Sequence, residues 1–331
     1  MAAAALQAVE TLRANATAEV LGYFIWWGTW EAQITPANLR RLFLEGNLNP
    51  DLHLPDEPTP ALAFRRAVRH GVAGQDGVTA KLIADNDAQI TYGLREDVVD
   101  KANNRAPAKQ FARITWIPGR NRIISDDPNN EVVQRIVGVL PTFRDHFVSD
   151  DVRKAIKSVL SDANAVPVTG RGGNSCFAPS YSEDLIASLE GVIARIPNRD
   201  GETATSLRER GETGGQTFVA GPCPAGGAWQ VIGEAAGRSE FSGRVDKAVE
   251  ELASFQERTE AHLKAVQAAE AKGEDYTATG PRLGTLAARL GEYRELRDKI
   301  ESYSAALSFR ADDLLSKLDA VKTTVSDLLG D

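Results

Sequence analysis

The chain has 331 residues, 42% hydrophobic and 25% charged, enough apolar material for two or three packed units and an ordinary soluble composition. Its formal charge of -8 excludes a protein that coats nucleic acid by bulk positive charge and leaves only a local basic patch for such contact. The two cysteines, Cys176 and Cys223, stand without a CxxC or a histidine cluster, which excludes a zinc site and points to reduced thiols in a cytoplasmic protein.

Met1 to Leu12 is alanine-rich, carries Glu10 and lacks a basic n-region, so it reads as a short helix and not as a signal peptide. The apolar run Val20 to Trp30 is about half the length needed to cross a bilayer. It predicts a buried strand, with Tyr23, Phe24, Trp26, Trp27 and Trp30 in core packing. Thr35-Pro36 opens a helix with Leu39, Leu42 and Phe43 that stops near Gly46. After the proline-rich link Leu54 to Pro60, a second helix is expected over Ala61 to His70, with Leu62, Phe64 and Val68 set among Arg65, Arg66 and Arg69.

Four strands follow, at Val78 to Ile83, Ala88 to Leu94, Phe111 to Ile117 and Arg120 to Ser125. Pro118-Gly119 suits a type II turn, which matches strand twist poorly, so a bulge or a longer loop is expected there. Close pairing places Ile114, Trp116 and Ile123 on the core face and Arg113, Arg120 and Arg122 on the other. Asn129 or Asn130 caps a helix with Val133, Ile136, Val137 and Leu140, which Pro141 kinks. Ser149 caps the next, whose inner side is Val152, Ala155, Ile156, Val159 and Leu160. Asp150 and Asp151 fall in its first turn, where the helix dipole explains them without a metal.

Val166 to Thr169 and Ser175 to Ala178 read as short strands around Gly170-Arg171-Gly172-Gly173. Ser180 to Glu183 matches a capping box opening a helix with Leu185, Ile186, Leu189, Val192 and Ile193. Asn198 to Gln216 has no apolar period and reads as an exposed loop, and Thr217 to Ala220 returns as a strand.

The C-terminus carries a seven-residue repeat. Its positions are Leu283, Leu286, Leu290, Tyr293, Arg297, Ile300, Ser304, Leu307, Ala311, Leu314, Leu318, Val321, Val325 and Leu328, and only Arg297 and Ser304 are polar. The 46 residues from Leu283 to Leu328 form a helix of roughly 69 Å if continuous. A first long helix is clearest from Arg238 to Lys272, since Gly226, Gly227, Gly233 and Gly237 weaken an earlier start near Ala228. Gly273 to Gly280 connects the two. The expected class is α+β: an antiparallel β-meander head with packed helices, then a long antiparallel helical hairpin forming a coiled coil. The segments are 1–76, 77–224 and 225–331.

Nothing here reaches a diagnostic catalytic motif, and no metal or cofactor is expected. Leu296, Tyr303 and Leu315 widen the helical stripe beyond a two-helix seam. With Leu307, Leu314, Leu318, Val321, Val325 and Leu328 they form the candidate surface for a homo-oligomer or protein partner. Arg113, Arg120 and Arg122 are the candidate nucleic-acid contacts. Arg171 and Asn174, in a glycine turn without the Lys-Ser/Thr ending of a P-loop, are candidate anion contacts. Ala63-Phe64-Arg65-Arg66-Ala67, the hairpins, and Gly173-Asn-Ser-Cys-Phe177-Ala-Pro179 resemble the layout of uncharacterised bacterial and phage proteins with a Phe-Arg-Arg-Ala element and a later glycine, aromatic and proline element, over residues 20 to 260. That resemblance implies no activity. The leading expectation is a non-enzymatic assembly, scaffold or adaptor protein of the cytoplasm, without membrane contact. The alternative is a nucleic-acid-associated protein, of phage or phage-defence origin, using the arginine-bearing hairpin, and the third is an enzyme with an unrecognised site around Arg171 and Asn174.

Overall fold

The structure, a computed structural model, describes residues 19–96, 109–168, 174–212, 214–226, 228–272, 283–307 and 310–329. In chain order its elements are β1 (Val20–Gly28), β2 (Gln33–Ile34), α1 (Pro36–Glu45), α2 (Pro50–His53), α3 (Pro60–Val72), β3 (Val78–Asp85), β4 (Ile90–Glu96), β5 (Lys109–Ile117) and β6 (Arg122–Ser125). Next come α4 (Glu131–Asp145), β7 (Phe147–Val148), α5 (Ser149–Asp162), β8 (Val166–Pro167), β9 (Ser175–Pro179), α6 (Glu183–Ile193), α7 (Ala204–Glu209) and β10 (Thr217–Pro224). The long helices α8 (Ala228–Lys272), α9 (Leu283–Leu307) and α10 (Asp312–Leu329) follow. The class is α+β. The expected helix at Met1 to Leu12, the Gly170–Gly173 turn and the Gly273–Gly280 connector lie outside the described residues.

Two compact units arise from segments distant in sequence. One is drawn from within Met1–Trp27, Leu160–Glu190 and Phe218–Asp331, the other from Gly28–Val159 and Gly191–Thr217. Segment 77–224 thus contributes to both.

In the second unit, local chemistry starts the helices. The Thr35 hydroxyl accepts the Asn38 N–H at 3.3 Å, Thr59 accepts the Leu62 N–H at 3.2 Å, and the Asn130 side chain accepts the Val132 N–H at 3.0 Å. The meander runs β3-β4-β5-β6, every pair antiparallel. Tyr92, Ile114 and Ser125 stand in one row and Ile90, Trp116 and Ile123 in the next, so one face carries the apolar side chains. Helices α3 and α4 cover that face with Phe64, Ala67, Val68, Val133 and Ile136. They approach closely because Gly71 has no side chain, since a Cβ there would lie 2.2 Å from Ile136 Cγ1. Arg66 of α3 donates to both oxygens of Asp151 in the first turn of α5, at 2.7 and 2.6 Å, and the Val148 N–H adds a third bond at 3.1 Å. The side chains are 13% and 3% exposed. A buried charge pair of this kind holds position because neither partner can be left alone.

In the first unit the sheet order is β10-β1-β9-β8. Phe24 and Phe177 meet edge to face at 5.2 Å, and Tyr303 of α9 packs on Phe177 and on Phe241 of α8. A Cβ at Gly22 would lie 2.4 Å from the Phe177 ring, and one at Gly233 would lie 3.3 Å from it. Gly233 therefore serves ring packing inside a helix and does not mark its end, so α8 begins at Ala228, ten residues before the expected Arg238. The Tyr303 hydroxyl donates to the Phe177 carbonyl at 3.0 Å and to that of Asn164.

Several other expectations change. The second arm of the C-terminal hairpin is two helices: α9 ends at Leu307, and α10 starts at Asp312 with Asp312 and Asp313 in its first turn. Gln230 reaches the Leu307 carbonyl at 3.2 Å and Arg289 reaches Glu251 at 3.6 Å, so α9 runs antiparallel to α8. Arg238 reaches the Arg310 carbonyl at 2.9 Å and Lys317 reaches Asp246 at 3.1 Å, so α10 runs parallel to α8. The stripe is wider than one partner helix can cover, and folding it back closes it. Asn198 to Gln216 is no bare loop: α7 lies in it under a Thr203–Ser206 capping box, and Gln216 is buried. The capping box expected at Ser180 does not form, because Ser180–Ser182 wind into a 3-10 turn that has Pro179 as its N-cap and no side-chain cap bond. Trp30 is 69% exposed and Val137 is also exposed, whereas Phe24 and Trp27 are buried as expected. Pro141 lies inside α4, which continues to Asp145.

Asp151→Ala strands the Arg66 guanidinium and should lower stability by about 3–5 kcal/mol in urea unfolding. Arg65→Ala, which opens a half-exposed pair with Asp85, should leave stability within error in the same assay. Burial holds the Tyr303 phenol neutral, its pKa well above the ordinary value. An unfolded tyrosine loses its proton near pH 10 while the folded one keeps it, so this contribution is whole below about pH 10 and is lost above it. Melting temperatures measured against pH should therefore fall more steeply above pH 10 for the parent than for Tyr303→Phe.

Candidate functional site

The face of the meander that α3 and α4 leave uncovered is the candidate site. Strand alternation places Thr79, Lys81, Thr91, Gly93, Arg95, Arg113, Thr115, Ile117, Arg122 and Ile124 on it. One row reads Lys81, Gly93, Arg113 across three strands, so the two cations flank a residue without a side chain, roughly 10 Å apart by strand spacing. Beyond a row in which the Thr91 and Thr115 hydroxyls bond at 3.0 Å, Arg122 pairs with Ile117. Arg95 stands opposite Gln110 on the other side. Bulges at Leu82/Ala84 and Leu94/Arg95 interrupt the register, and Ile83 in the first lies over Gly93 on this face.

Among the described residues, Lys81, Arg95, Arg113 and Arg122 make no side-chain hydrogen bond or ion pair, and the Arg95 Nε is buried without an acceptor. None of the strand residues of this face is a carboxylate. Asp126, just beyond β6, accepts the Arg113 backbone N–H at 2.6 Å, so one of its oxygens is engaged. Lys81, Arg113 and Arg122 are thus exposed on an acidic chain, with the half-buried Arg95 on the same face and Ile83 and Ile124 exposed among them. The face holds no aromatic side chain on which a base could stack.

The sequence-predicted residues are distributed differently. Arg113 and Arg122 share the open face, whereas Arg120 sits in the helical turn Pro118–Arg120, closed by Asn121 at φ 43. This is the longer loop expected there. Lys81 and Arg95 belong to the site through strand pairing and had no local signal in the sequence. Asn174 is exposed and its carbonyl accepts the Trp27 N–H at 2.9 Å, while Arg171 lies outside the described residues. Leu296, Tyr303, Leu307, Leu314, Leu318, Val321 and Val325 are buried within the chain's own helices, and Leu315 packs partly buried against them. Leu328 belongs to α10, and its side chain lies outside the described residues.

Other chemistry-bearing groups have structural surroundings. His53 Nδ1 lies 3.2 Å from Ser158 Oγ, a pairing across 105 residues that spacing cannot show. Ser158 also reaches the Leu52 carbonyl at 3.5 Å, which ties α2 to α5. No group of three metal-ligating side chains occurs among the described residues, and none of their helices is long and apolar enough to cross a membrane. Cys176 and Cys223 lie on strands either side of β1, roughly 10 Å apart by strand spacing, too far for a disulfide. Burial pushes the Cys176 thiol up to about 12 and, with Glu234 nearby, the Cys223 thiol up to about 11.

Residues 20–224 match the model of a family of unknown function, DUF6744. No curated protein and no solved structure matches the chain. The matched segment contains the whole open face and stops before α8.

Because the thiolate is the reactive form, both cysteines should resist maleimide in the native protein at pH 7 and react within minutes in denaturing urea. Rapid modification of either under native conditions would contradict the buried placement.

Proposed function

The chain belongs to the DUF6744 family, and from that premise we propose that it is a non-enzymatic binding protein that contacts nucleic acid through the open face of the meander. The observation that carries this reading is the set of three exposed cations, Lys81, Arg113 and Arg122, with the half-buried Arg95 beside them, none bonded through its side chain to another described residue, on a sheet whose other face is packed. Guanidinium and ammonium groups in fixed rows suit phosphate oxygens. With no aromatic on the face, contacts fall on the backbone and the binding is indifferent to base sequence. The overall charge of -8 confines attraction to this patch and keeps the affinity modest.

An assembly role through the C-terminal helices draws less support, because the described apolar residues of the stripe that motivated it, Leu290 to Val325, are buried within the chain.

Fluorescence anisotropy with a labelled 20-nucleotide single strand and a duplex tests the proposal. Binding in the micromolar range at 50 mM salt should weaken roughly 50- to 150-fold at 200 mM for four phosphate contacts. The Lys81→Glu, Arg113→Glu, Arg122→Glu triple variant should lose binding with an unchanged melting temperature, and Arg120→Glu should cost less than Arg113→Glu. No binding at 50 mM salt, or a triple variant that binds like the parent, rejects the proposal.

A further inference from the structure

The open face carries one neutral polar side chain whose place among the cations is not explained by sheet packing. Strand alternation alone would turn Gln110, three residues before Arg113, toward the helices. The bulge at Leu94/Arg95 reverses it: Phe111 and Ala112 both pack into the covered side, and Gln110 comes out on the open face opposite Arg95. A Cβ at Gly93 would lie 2.6 Å from the Gln110 Oε1, 3.2 Å from its Cδ and 3.0 Å from Ile83 Cδ1. The carboxamide therefore rests over Gly93, in the row between Lys81 and Arg113, and it has room there because Gly93 has no side chain.

Gln110 is half-buried and its carboxamide bonds no other described residue. Neither of its polar atoms is sealed off, unlike the Arg95 Nε, so both are open to a ligand. An amide offers an acceptor and two donors at one point, whereas Lys81 and Arg113 on either side only donate. A phosphate is served better by those cations. A base would have to lie flat on the sheet, and no aromatic ring on this face holds one there. Between two phosphates of one strand lies a sugar, and the ribose 2′-hydroxyl, itself both donor and acceptor, matches a carboxamide at that point. Deoxyribose carries only hydrogen on that carbon and would leave the covered amide without a partner.

We propose that Gln110 reads the ribose 2′-hydroxyl, so that the open face prefers RNA to DNA of the same sequence. The inference rests on nucleic-acid contact at this face and adds to it the class of strand.

Fluorescence anisotropy of the full chain at 50 mM salt, with a labelled 20-nucleotide oligouridine and the matched oligodeoxyuridine, tests the preference on two strands that differ only in the 2′-hydroxyl. The RNA should bind about five- to tenfold more tightly. Gln110→Leu should bring the RNA down to the affinity of the DNA and leave the DNA unchanged. Gly93→Ala, which keeps every charge and displaces the carboxamide, should reduce the RNA preference in the same way, with a melting temperature close to the parent's. Equal binding of both strands by the parent overturns the inference and leaves the nucleic-acid reading standing. So does an RNA preference that Gln110→Leu retains, or a Gln110→Leu variant that loses RNA and DNA alike. Binding of neither strand rejects that reading and the inference with it.

Discussion

The second unit depends on one buried charge pair. Asp151 is almost entirely removed from water, and Arg66, the Val148 N–H and the helix start around it replace the hydration it lost. Because Arg66 sits in the middle of α3, this pair fixes that helix against the β7–α5 junction. Phe64 and Ala67, its neighbours in the same Phe-Arg-Arg-Ala element, carry the meander on the opposite side, and Arg65 reaches Asp85 at the end of β3. The element that resembles other uncharacterised proteins is thus a four-residue clamp, each side chain with a structural partner.

What the clamp presents is a sheet packed on one side only. An antiparallel sheet can leave one face in water, provided that its alternate residues tolerate it. Here they are threonines and cations, with Ile83 and Ile124 between them. The bulges in β3 and β5 interrupt the pairing with β4 at the points where Ile83 and Arg95 emerge.

In the first unit, the C-terminal helices show how apolar excess is resolved. A stripe widened by Leu296, Tyr303 and Leu315 needs more than one partner, and a second copy was one way to supply it. The chain supplies it alone by ending α9 at Leu307 and laying α10 back along α8. Phe177, Phe241 and Tyr303 then tie the helices to the β1–β9 sheet through edge-to-face rings and two carbonyl hydrogen bonds.

Local chemistry was enough to find most elements. The Thr35-Pro36 start placed α1, and an Asn cap placed α4. Alternation placed the meander and put Ile114, Trp116 and Ile123 in the core, and the three-four period found the apolar stripe of the C-terminal helices. These features are legible because each depends on residues within a turn or a hairpin of one another. The rest depended on distance in sequence. Arg66 finds Asp151 across 85 residues. Lys81 and Arg113 are joined only through the register of β4, and Gly233 looks like a helix breaker until Phe177 is packed against it. A periodic stripe shows how much apolar surface must be covered. Which surface covers it is decided by the cheapest closure available to the whole chain, and that choice appears only in the tertiary structure.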